Sequence, residues 1–471
     1  MTAIITDRIK KEFAQLIFDE NAGATLGDSN NYFYVAVGRA QQWQPASNLD
    51  TVPDPVNTER EERLFRYNLQ SVKAVEAFSY VVPLTDWVAN AQYAQYNDNV
   101  SGQPAVSYYI RNEDNNVYVC IRNGKNAQGA VNVSTVKPSH TDTTLPIEAD
   151  GYVWKFMYTI STADANKFLT SAFMPVKFVD SADVLSPDFQ QYSVQNAAVA
   201  GQIIGYRVVE AGGSYSSAPA LTIVGNGSGA QARAILNSTG GVEAVEVGDS
   251  ASAPLILNMG SGYNYANVVV SSANLAGGGI NAGVVPIFAR TNGIGSNAID
   301  DLRSTAIMFN IKPTGTVEGT WPIDQSYRQI GLWKNPTQYD SSGLFTDPQG
   351  VALQRLNITP AGNNDTTDGY VFTFGTDTQI TQSSSGAAAW LDWYDDSDTI
   401  WYHQDEYTGF VPFVTGSPLR VSGDGANDRN VTALIDPDLD KFTGEIHFIN
   451  NFAAVGRELL STQDIKLVIK L

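Results

Sequence analysis

The sequence holds a single cysteine, Cys120, so no disulfide can form within the chain. Cys120 lies in an alternating run of apolar residues, which predicts a buried strand position rather than a reactive thiol. The lack of disulfides is typical of folding in a reducing cytoplasm. No apolar run approaches the roughly 18 residues of a membrane helix, and no basic start followed by an apolar stretch indicates a signal peptide. We therefore expect a chain that is assembled in the cytoplasm and has no membrane partner.

Basic residues and histidines are also scarce. The chain has 29 Lys and Arg against 49 Asp and Glu, a net charge of −20. Since nucleic-acid binding depends on cations that neutralise phosphates, we expect no nucleic-acid partner. His140, His403 and His447 lie in unrelated contexts, and none has a partner at the spacing of a zinc site. A Ser–His–Asp triad assembles only in space, but no Gly-x-Ser-x-Gly sequence supports one. We predict no enzyme activity, no metal and no cofactor.

Aromatic residues, glycine and proline are abundant, with 22 Tyr, 20 Phe, 8 Trp, 40 Gly and 20 Pro among 471 residues. Aromatic side chains favour strands, and glycine and proline favour the turns between them. A chain of this length forms about two to four domains. We predict a mainly β, multidomain fold of layered antiparallel sheets or β-sandwiches with a few short helices.

Apolar spacing predicts one helix near the start of the chain, with Ile9, Phe13 and Leu16 on its apolar face. A charged helix is expected near residues 57–69. Tyr152, Trp154, Phe156 and Tyr158 share one parity in a predicted strand over 152–160, so they face one side. A core or sheet-to-sheet face is the favoured interpretation of this aromatic row, and a recognition surface is the alternative. The final strand should carry Ile465, Leu467, Ile469 and Leu471 on one face.

Changes in composition suggest three segments: 1–190, 195–290, and 300–471 with a variable insert around 340–430. Residues 195–290 are rich in Gly, Ala, Ser and Val, and we predict a small inserted β domain there. This segment also contains a weak internal echo. Residues 213–222 and 260–270 both run Gly, Ser, Tyr, then Ala three positions after the Tyr, then a β-rich stretch.

Several short motifs resemble ligand-binding or catalytic sequences but lack features that those sites require. Residues 293–298 (GIGSNA) match a dinucleotide-binding pattern, yet Pro286 interrupts the preceding strand, and Glu318 falls in a predicted loop. We predict a turn. The carboxylates of 436–440 (DPDLD) and 395–398 lack the Gly and Glu that a calcium loop requires, which leaves solvated turns or a structural cation. Asp405 and Glu406 are adjacent carboxylates of the kind that glycoside cleavage uses, although such neighbours are usually surface charge.

Five segments in order resemble one known family. They are residues 31–43 (NYFYVAVGRAQQW), 81–87 (VVPLTDW), 150–160 (DGYVWKFMYTI), 327–336 (YRQIGLWKNP) and 443–471. Together they resemble the gene-product-eight family of baseplate wedge proteins of T4-like contractile-tailed bacteriophages. The resemblance covers a little over half of the chain, and the 195–290 insert has no counterpart in the family pattern.

The resemblance implies a structural protein of the virion. It implies a homodimer in each baseplate wedge, with other wedge proteins as partners and tail-fibre-associated proteins as further candidates. Large obligate interfaces are rich in aromatic and apolar residues. Candidate interface residues are Tyr34, Arg39, Trp43, Trp87, Trp154 and Arg328, with the subunit's own core as the alternative for each Trp.

An alternative function rests on the acidic and aromatic patch of residues 392–407, which suggests a glycan-binding or glycan-cleaving tail protein. A capsid or decoration protein would share the glycine-rich β module but not the five ordered segments.

Overall fold

A computed structural model describes residues 7–22, 31–43, 51–126, 129–248, 257–313, 321, 326–359, 378–395, 398–421, 429–456 and 462–471. Strands account for 43% and helices for 10%, so the prediction of a mainly β chain is confirmed. The chain divides into two compact units. The first unit comprises Met1–Ala14, Ser79–Ile307 and Lys470–Leu471, and the second comprises Gln15–Phe78 and Met308–Ile469. No helix in the described ranges is long and apolar enough to cross a membrane.

The first part of the chain alternates short helices with strands. In order, these elements are α1 (Asp7–Ala22), β1 (Phe33–Gly38), α2 (Glu59–Tyr67), β2 (Leu69–Ala74), β3 (Ala77–Pro83), β4 (Tyr109–Arg111), β5 (Asn116–Arg122), β6 (Val153–Thr159), α3 (Thr162–Phe168), β7 (Phe173–Val176) and α4 (Phe189–Asn196). Thr58 caps α2, since its hydroxyl accepts a hydrogen bond from the Glu61 amide at 3.3 Å.

The predicted first helix exists as α1, but its expected apolar face is not the buried one. Ile9, Phe13 and Leu16 are exposed, whereas Ala14 is buried. The ammonium of Lys11 lies 2.5 Å from the carboxylate of Asp300 in the same unit. This ion pair orients the Lys11 and Ala14 side of α1 inward, because residues three apart share a helix face.

The described residues of the glycine-rich segment form ten short strands. They are β8 (Ile203–Glu210), β9 (Gly213–Tyr215), β10 (Leu221–Gly225), β11 (Ser228–Ala230), β12 (Ala232–Leu236), β13 (Val242–Val247), β14 (Met259–Ser261), β15 (Ala266–Val270), β16 (Leu275–Ile280) and β17 (Gly283–Phe288). They pair in five two-stranded antiparallel sheets: β8 with β17, β9 with β16, β10 with β15, β11 with β14 and β12 with β13.

These pairings, together with the sequence similarity of residues 213–222 and 260–270, indicate a duplication whose two copies exchange strands. We define repeat 1 as residues 201–236, with β8 to β12, and repeat 2 as residues 240–288, with β13 to β17. Each sheet takes one strand from each repeat: first pairs with fifth, second with fourth, and third with third. At the centre, Leu221 pairs with Val270 and Thr222 with Val269, which is a two-fold symmetric register.

Side-chain contacts repeat the same symmetry. The Tyr215 hydroxyl accepts a hydrogen bond from the amide of Ala282 at 2.9 Å. The Tyr263 hydroxyl accepts one from the amide of Ala230 at 3.4 Å. Each tyrosine of the sequence echo therefore anchors the opposite repeat.

The remainder of the chain supplies the last helix and thirteen strands of the described ranges. They are α5 (Ala298–Asp301), β18 (Ala306–Ile311), β19 (Ser326–Lys334), β20 (Thr337–Gln338), β21 (Gln349–Val351), β22 (Gln354–Ile358), β23 (Gln379–Gln382), β24 (Ala387–Tyr394), β25 (Thr399–His403), β26 (Pro418–Val421), β27 (Arg429–Ile435), β28 (Leu439–Asp440), β29 (Glu445–Gly456) and β30 (Ile465–Lys470). The last confirms the predicted C-terminal strand, in which Leu467 and Ile469 are buried.

The second unit contains a five-stranded sheet and a closed barrel. The sheet has the order β21-β2-β1-β19-β29, and its pairs are antiparallel. The barrel has the order β22-β25-β24-β23-β26-β27 and its own apolar core, which includes Leu356, Ile380 and Ile400. Its described strands lie between residues 354 and 435, which overlap the segment predicted as a variable insert. Strands distant in sequence meet in the five-stranded sheet, where β1 and β2 share a sheet with β19 and β29.

In the first unit, β4, β5 and β6 form a three-stranded sheet whose core is largely aromatic. Tyr152, Trp154 and Phe156 lie in that core together with Cys120, which confirms the buried position predicted for the thiol. Burial raises the pKa of the Cys120 thiol well above its usual range. Glu246 of β13 is buried and pairs with Arg122 of β5 at 2.5 Å. The glycine-rich module, which we define as β8 to β17, therefore packs on this sheet.

Candidate functional site

Three of the six candidate interface residues lie in the core rather than on the surface. Tyr34 and Trp154 are 0% exposed and Arg328 is 4% exposed. The Tyr34 hydroxyl donates to the carbonyl of Phe345 at 2.9 Å. Trp154 stacks on Tyr152, with ring centroids 5.6 Å apart. These three residues therefore lie in the subunit's own core, which is the alternative that the sequence left open for each Trp.

The other three candidates are half-buried. Arg39 lies over the ring of Trp43, with its guanidinium carbon 4.3 Å from the ring centroid. The Trp43 indole donates to the carbonyl of Phe452 at 3.1 Å, and the Trp87 indole donates to the Ser134 hydroxyl at 3.1 Å. Each side chain keeps part of its surface in contact with solvent, so these three remain candidate contacts.

The dinucleotide-like motif is a turn, as predicted. Gly293 and Gly295 have φ of +86° and +97°, a conformation that glycine adopts easily. The preceding strand β17 pairs antiparallel with β8 rather than sitting in a parallel sheet. Glu318 lies outside the described residues.

The carboxylate clusters serve turns and ion pairs. Asp438 accepts a hydrogen bond from the amide of Val351 at 2.8 Å. Asp395 accepts from the amide of Asp398 at 3.0 Å. Within the described ranges, no group of three or more His, Cys, Asp or Glu could hold a metal ion.

The two adjacent carboxylates are likewise engaged. Asp405 accepts from the Trp390 indole at 2.9 Å and from the amide of Thr408 at 3.0 Å. Glu406 lies 3.6 Å from the guanidinium groups of both Arg60 and Arg63.

On the neighbouring barrel strands β24 and β25, Asp392 and His403 form a buried pair that the sequence did not suggest. Nδ1 of His403 lies 2.6 Å from Oδ2 of Asp392, and both side chains are fully buried. Asp392 is the extra residue of a β-bulge, since the register of β24 and β25 shifts between Leu391 and Trp393. Among the described residues, His403 Nε2 and Asp392 Oδ1 have no hydrogen-bond partner.

Beside the barrel lies a pocket of about 200 Å³ that brings polar and aromatic side chains together. Its polar lining includes Gln354, Gln404, Asp440 and Lys441, and its aromatic lining includes Phe410, Phe442 and Tyr339. The ammonium of Lys441 donates to the carbonyl of Tyr67 at 3.0 Å. Burial lowers the pKa of this ammonium to about 8, although Asp392, Asp405 and Asp440 oppose the shift. Only Gln404 of this set falls within the patch singled out from the sequence.

A second, larger groove of about 290 Å³ lies in the same unit along β29. It is lined by Pro55 to Thr58, Glu61 and Glu62 on one side and by Ile446 to Ile449 on the other. Its lining residues include two carboxylates, Glu61 and Glu62, and no Lys or Arg.

Exposed apolar side chains cluster in the loop between β7 and α4. Leu185 is 94% exposed, Val184 is 73% exposed, and Phe178 is also exposed. Clustered apolar exposure of this kind is typical of a protein-binding surface.

No protein-family model matches the chain, and no curated protein sequence matches it at a significant level.

Proposed function

We propose that the chain is a structural subunit of a contractile phage tail baseplate, a dimeric scaffold of the wedge. In this role it joins other wedge proteins within the virion and takes part in their rearrangement when the tail contacts a host. The proposal comes from the five resembling segments. It is a non-enzymatic role, and it implies neither a cofactor nor a metal.

One observation supports it most directly. The segments 31–43, 327–336 and 443–471 contain β1, β19 and β29, which are neighbouring strands of one sheet. Phe33 pairs with Lys334, which in turn pairs with Glu445, although the three lie far apart in sequence. Segments that carry a shared fold should meet in this way, because strand pairing fixes a common framework.

Uncovered apolar surface is a second support. α1 leaves Phe13 and Leu16 exposed, and the loop before α4 leaves Val184 and Leu185 exposed. An obligate subunit buries such side chains against partners, often over about 2,000 Å² or more of total surface. We assign the α1 face to the dimer and the loop to other wedge proteins.

The test is the mass of the purified chain in solution by light scattering, first alone and then mixed with the other wedge proteins of its virus. We expect a dimer that enters a larger complex of fixed stoichiometry. Phe13→Asp with Leu16→Asp should give a folded monomer. Val184→Asp with Leu185→Asp should keep the dimer but weaken the larger complex.

Val106→Asp is the matched control, because Val106 is also exposed but lies in neither patch. It should alter neither assembly. A wild-type monomer that ignores the wedge proteins would contradict the scaffold role. A dimer that persists in the α1 variant would contradict only the assignment of that face.

A further inference from the structure

The pocket beside the barrel has the size of one small ring. Its volume of about 200 Å³ is below the range of about 300–1,000 Å³ that is usual for drug-sized ligands. All of its lining residues belong to the second unit. The ligand must therefore be small, or must enter with one terminal group.

The polar lining offers mainly hydrogen-bond acceptors. The Gln404 amide nitrogen donates to the carbonyls of Ala388 and Val411, both at 2.8 Å, so both amide hydrogens are used. Only its Oε1 is left to a ligand. Asp440 adds a carboxylate, one oxygen of which accepts from the amide of Phe442 at 2.9 Å. Such acceptors suit a ligand that carries several hydroxyl donors.

Two exposed aromatic rings flank these acceptors, and one buried ring supports both of them. Phe410 and Phe442 are 53% and 56% exposed. Both pack against the buried ring of Tyr67, with centroids 5.2 and 5.9 Å away. Because Tyr67 fixes both rings, they are positioned before a ligand arrives, which lowers the entropic cost of binding.

The surrounding charge argues against an acidic ligand. Burial, Asp436, Asp340 and Asp440 together raise the pKa of the Tyr339 phenol at the pocket wall. Lys441 is the cation that lines the pocket, and its ammonium already donates to the Tyr67 carbonyl. A neutral ligand avoids repulsion from the three carboxylates.

We propose that this pocket binds a single neutral sugar ring, whose hydroxyls bond Gln404, Asp440 and Lys441 and whose apolar edges contact Phe410 and Phe442. The pocket lining contains one carboxylate, Asp440, rather than the pair that glycoside cleavage uses, so binding is without cleavage. Sugar binding here does not depend on the scaffold role, so either can fail while the other stands.

Protection of Lys441 from a dilute amine acylating reagent, read by peptide mass spectrometry near pH 8, tests the proposal on the full chain. The probes are the methyl glycosides of glucose, galactose, mannose and N-acetylglucosamine. Sorbitol is the control, because it has the hydroxyls but no ring. We expect at least one glycoside to slow the acylation of Lys441 severalfold and sorbitol not to do so. Acylation of the surface residue Lys137 should be unchanged by either.

Two variants locate the site. Phe410→Ala removes an exposed ring and should abolish the protection while Lys441 remains reactive. Tyr407→Ala removes a ring that is 83% exposed and does not line the pocket, so protection should persist. The proposal is overturned if no glycoside protects Lys441, if sorbitol protects equally, or if the Phe410→Ala chain is still protected. Better protection by sialic acid than by every neutral glycoside would overturn the neutral ligand.

Discussion

Alanine substitutions at two glycines test the strand-exchanged duplication. Gly212 in repeat 1 and Gly260 in repeat 2 have φ of +63° and +62°. A Cβ on Gly212 would lie 2.6 Å from both the Ala282 nitrogen and the Ile280 oxygen. A Cβ on Gly260 would lie 2.5 Å from the Ala230 nitrogen and the Ser228 oxygen. Each glycine thus contacts the backbone of the opposite repeat.

The expected cost has two parts. A non-glycine residue in the left-handed conformation costs about 1–2 kcal/mol. The overlap with backbone, which cannot move aside as a side chain would, adds about 1–3 kcal/mol. Gly212→Ala and Gly260→Ala should therefore each lower the stability of the module by about 2–5 kcal/mol, and by similar amounts, because their surroundings are equivalent.

Substitutions at two neighbouring glycines, Gly278 and Gly277, separate the conformational cost from the cost of backbone overlap. Gly278 has φ of +82° with nothing near its Cβ position, so Gly278→Ala should show only the conformational cost of about 1–2 kcal/mol. Gly277 has open space and no positive φ, so Gly277→Ala should stay within about 0.5 kcal/mol of the natural chain.

Native-state hydrogen exchange read by mass spectrometry is the assay, since it resolves the opening free energy of each segment. The module contains no tryptophan, so tryptophan fluorescence would miss it. Each of the two substitutions should speed exchange in peptides of both repeats. The interleaving of the repeats is refuted if the effect of Gly212→Ala stays within repeat 1, or if Gly212→Ala is as mild as Gly277→Ala.

Three further predictions concern the first unit. Trp154→Ala should destabilise it by about 3–5 kcal/mol in urea unfolding, and a stable variant would contradict the core position. Burial raises the pKa of Asp301 to about 7, above an unfolded value of about 3.9. The folded chain therefore holds the extra proton, and its stability should fall as pH rises from about 4 to 7. Asp301→Asn should flatten that slope in urea midpoints, and an unchanged slope would disprove the assignment. Cys120 should resist thiol reagents until the chain is denatured, and labelling of the native chain would contradict its burial.

The sequence alone predicted those features that depend on a local pattern of residues. Alternation placed Cys120 and the final strand correctly, because a strand shows its buried face every second residue. Glycine and aromatic content predicted the mainly β fold. The echo around Tyr215 and Tyr263 pointed to a repeat, although it could not show how the copies pair.

Other features were decided by contacts between residues distant in sequence. The buried face of α1 follows Lys11 and Asp300, not the apolar residues Phe13 and Leu16. A barrel forms from strands between residues 354 and 435, where the sequence predicted only a variable insert. The pocket beside the barrel is lined by Gln404 and Lys441, and Lys441 in turn contacts Tyr67. Three parts of the chain that are distant in sequence therefore meet there. Local sequence sets which residues prefer a strand, whereas strand partners, register and pocket walls depend on which distant surfaces bury each other best.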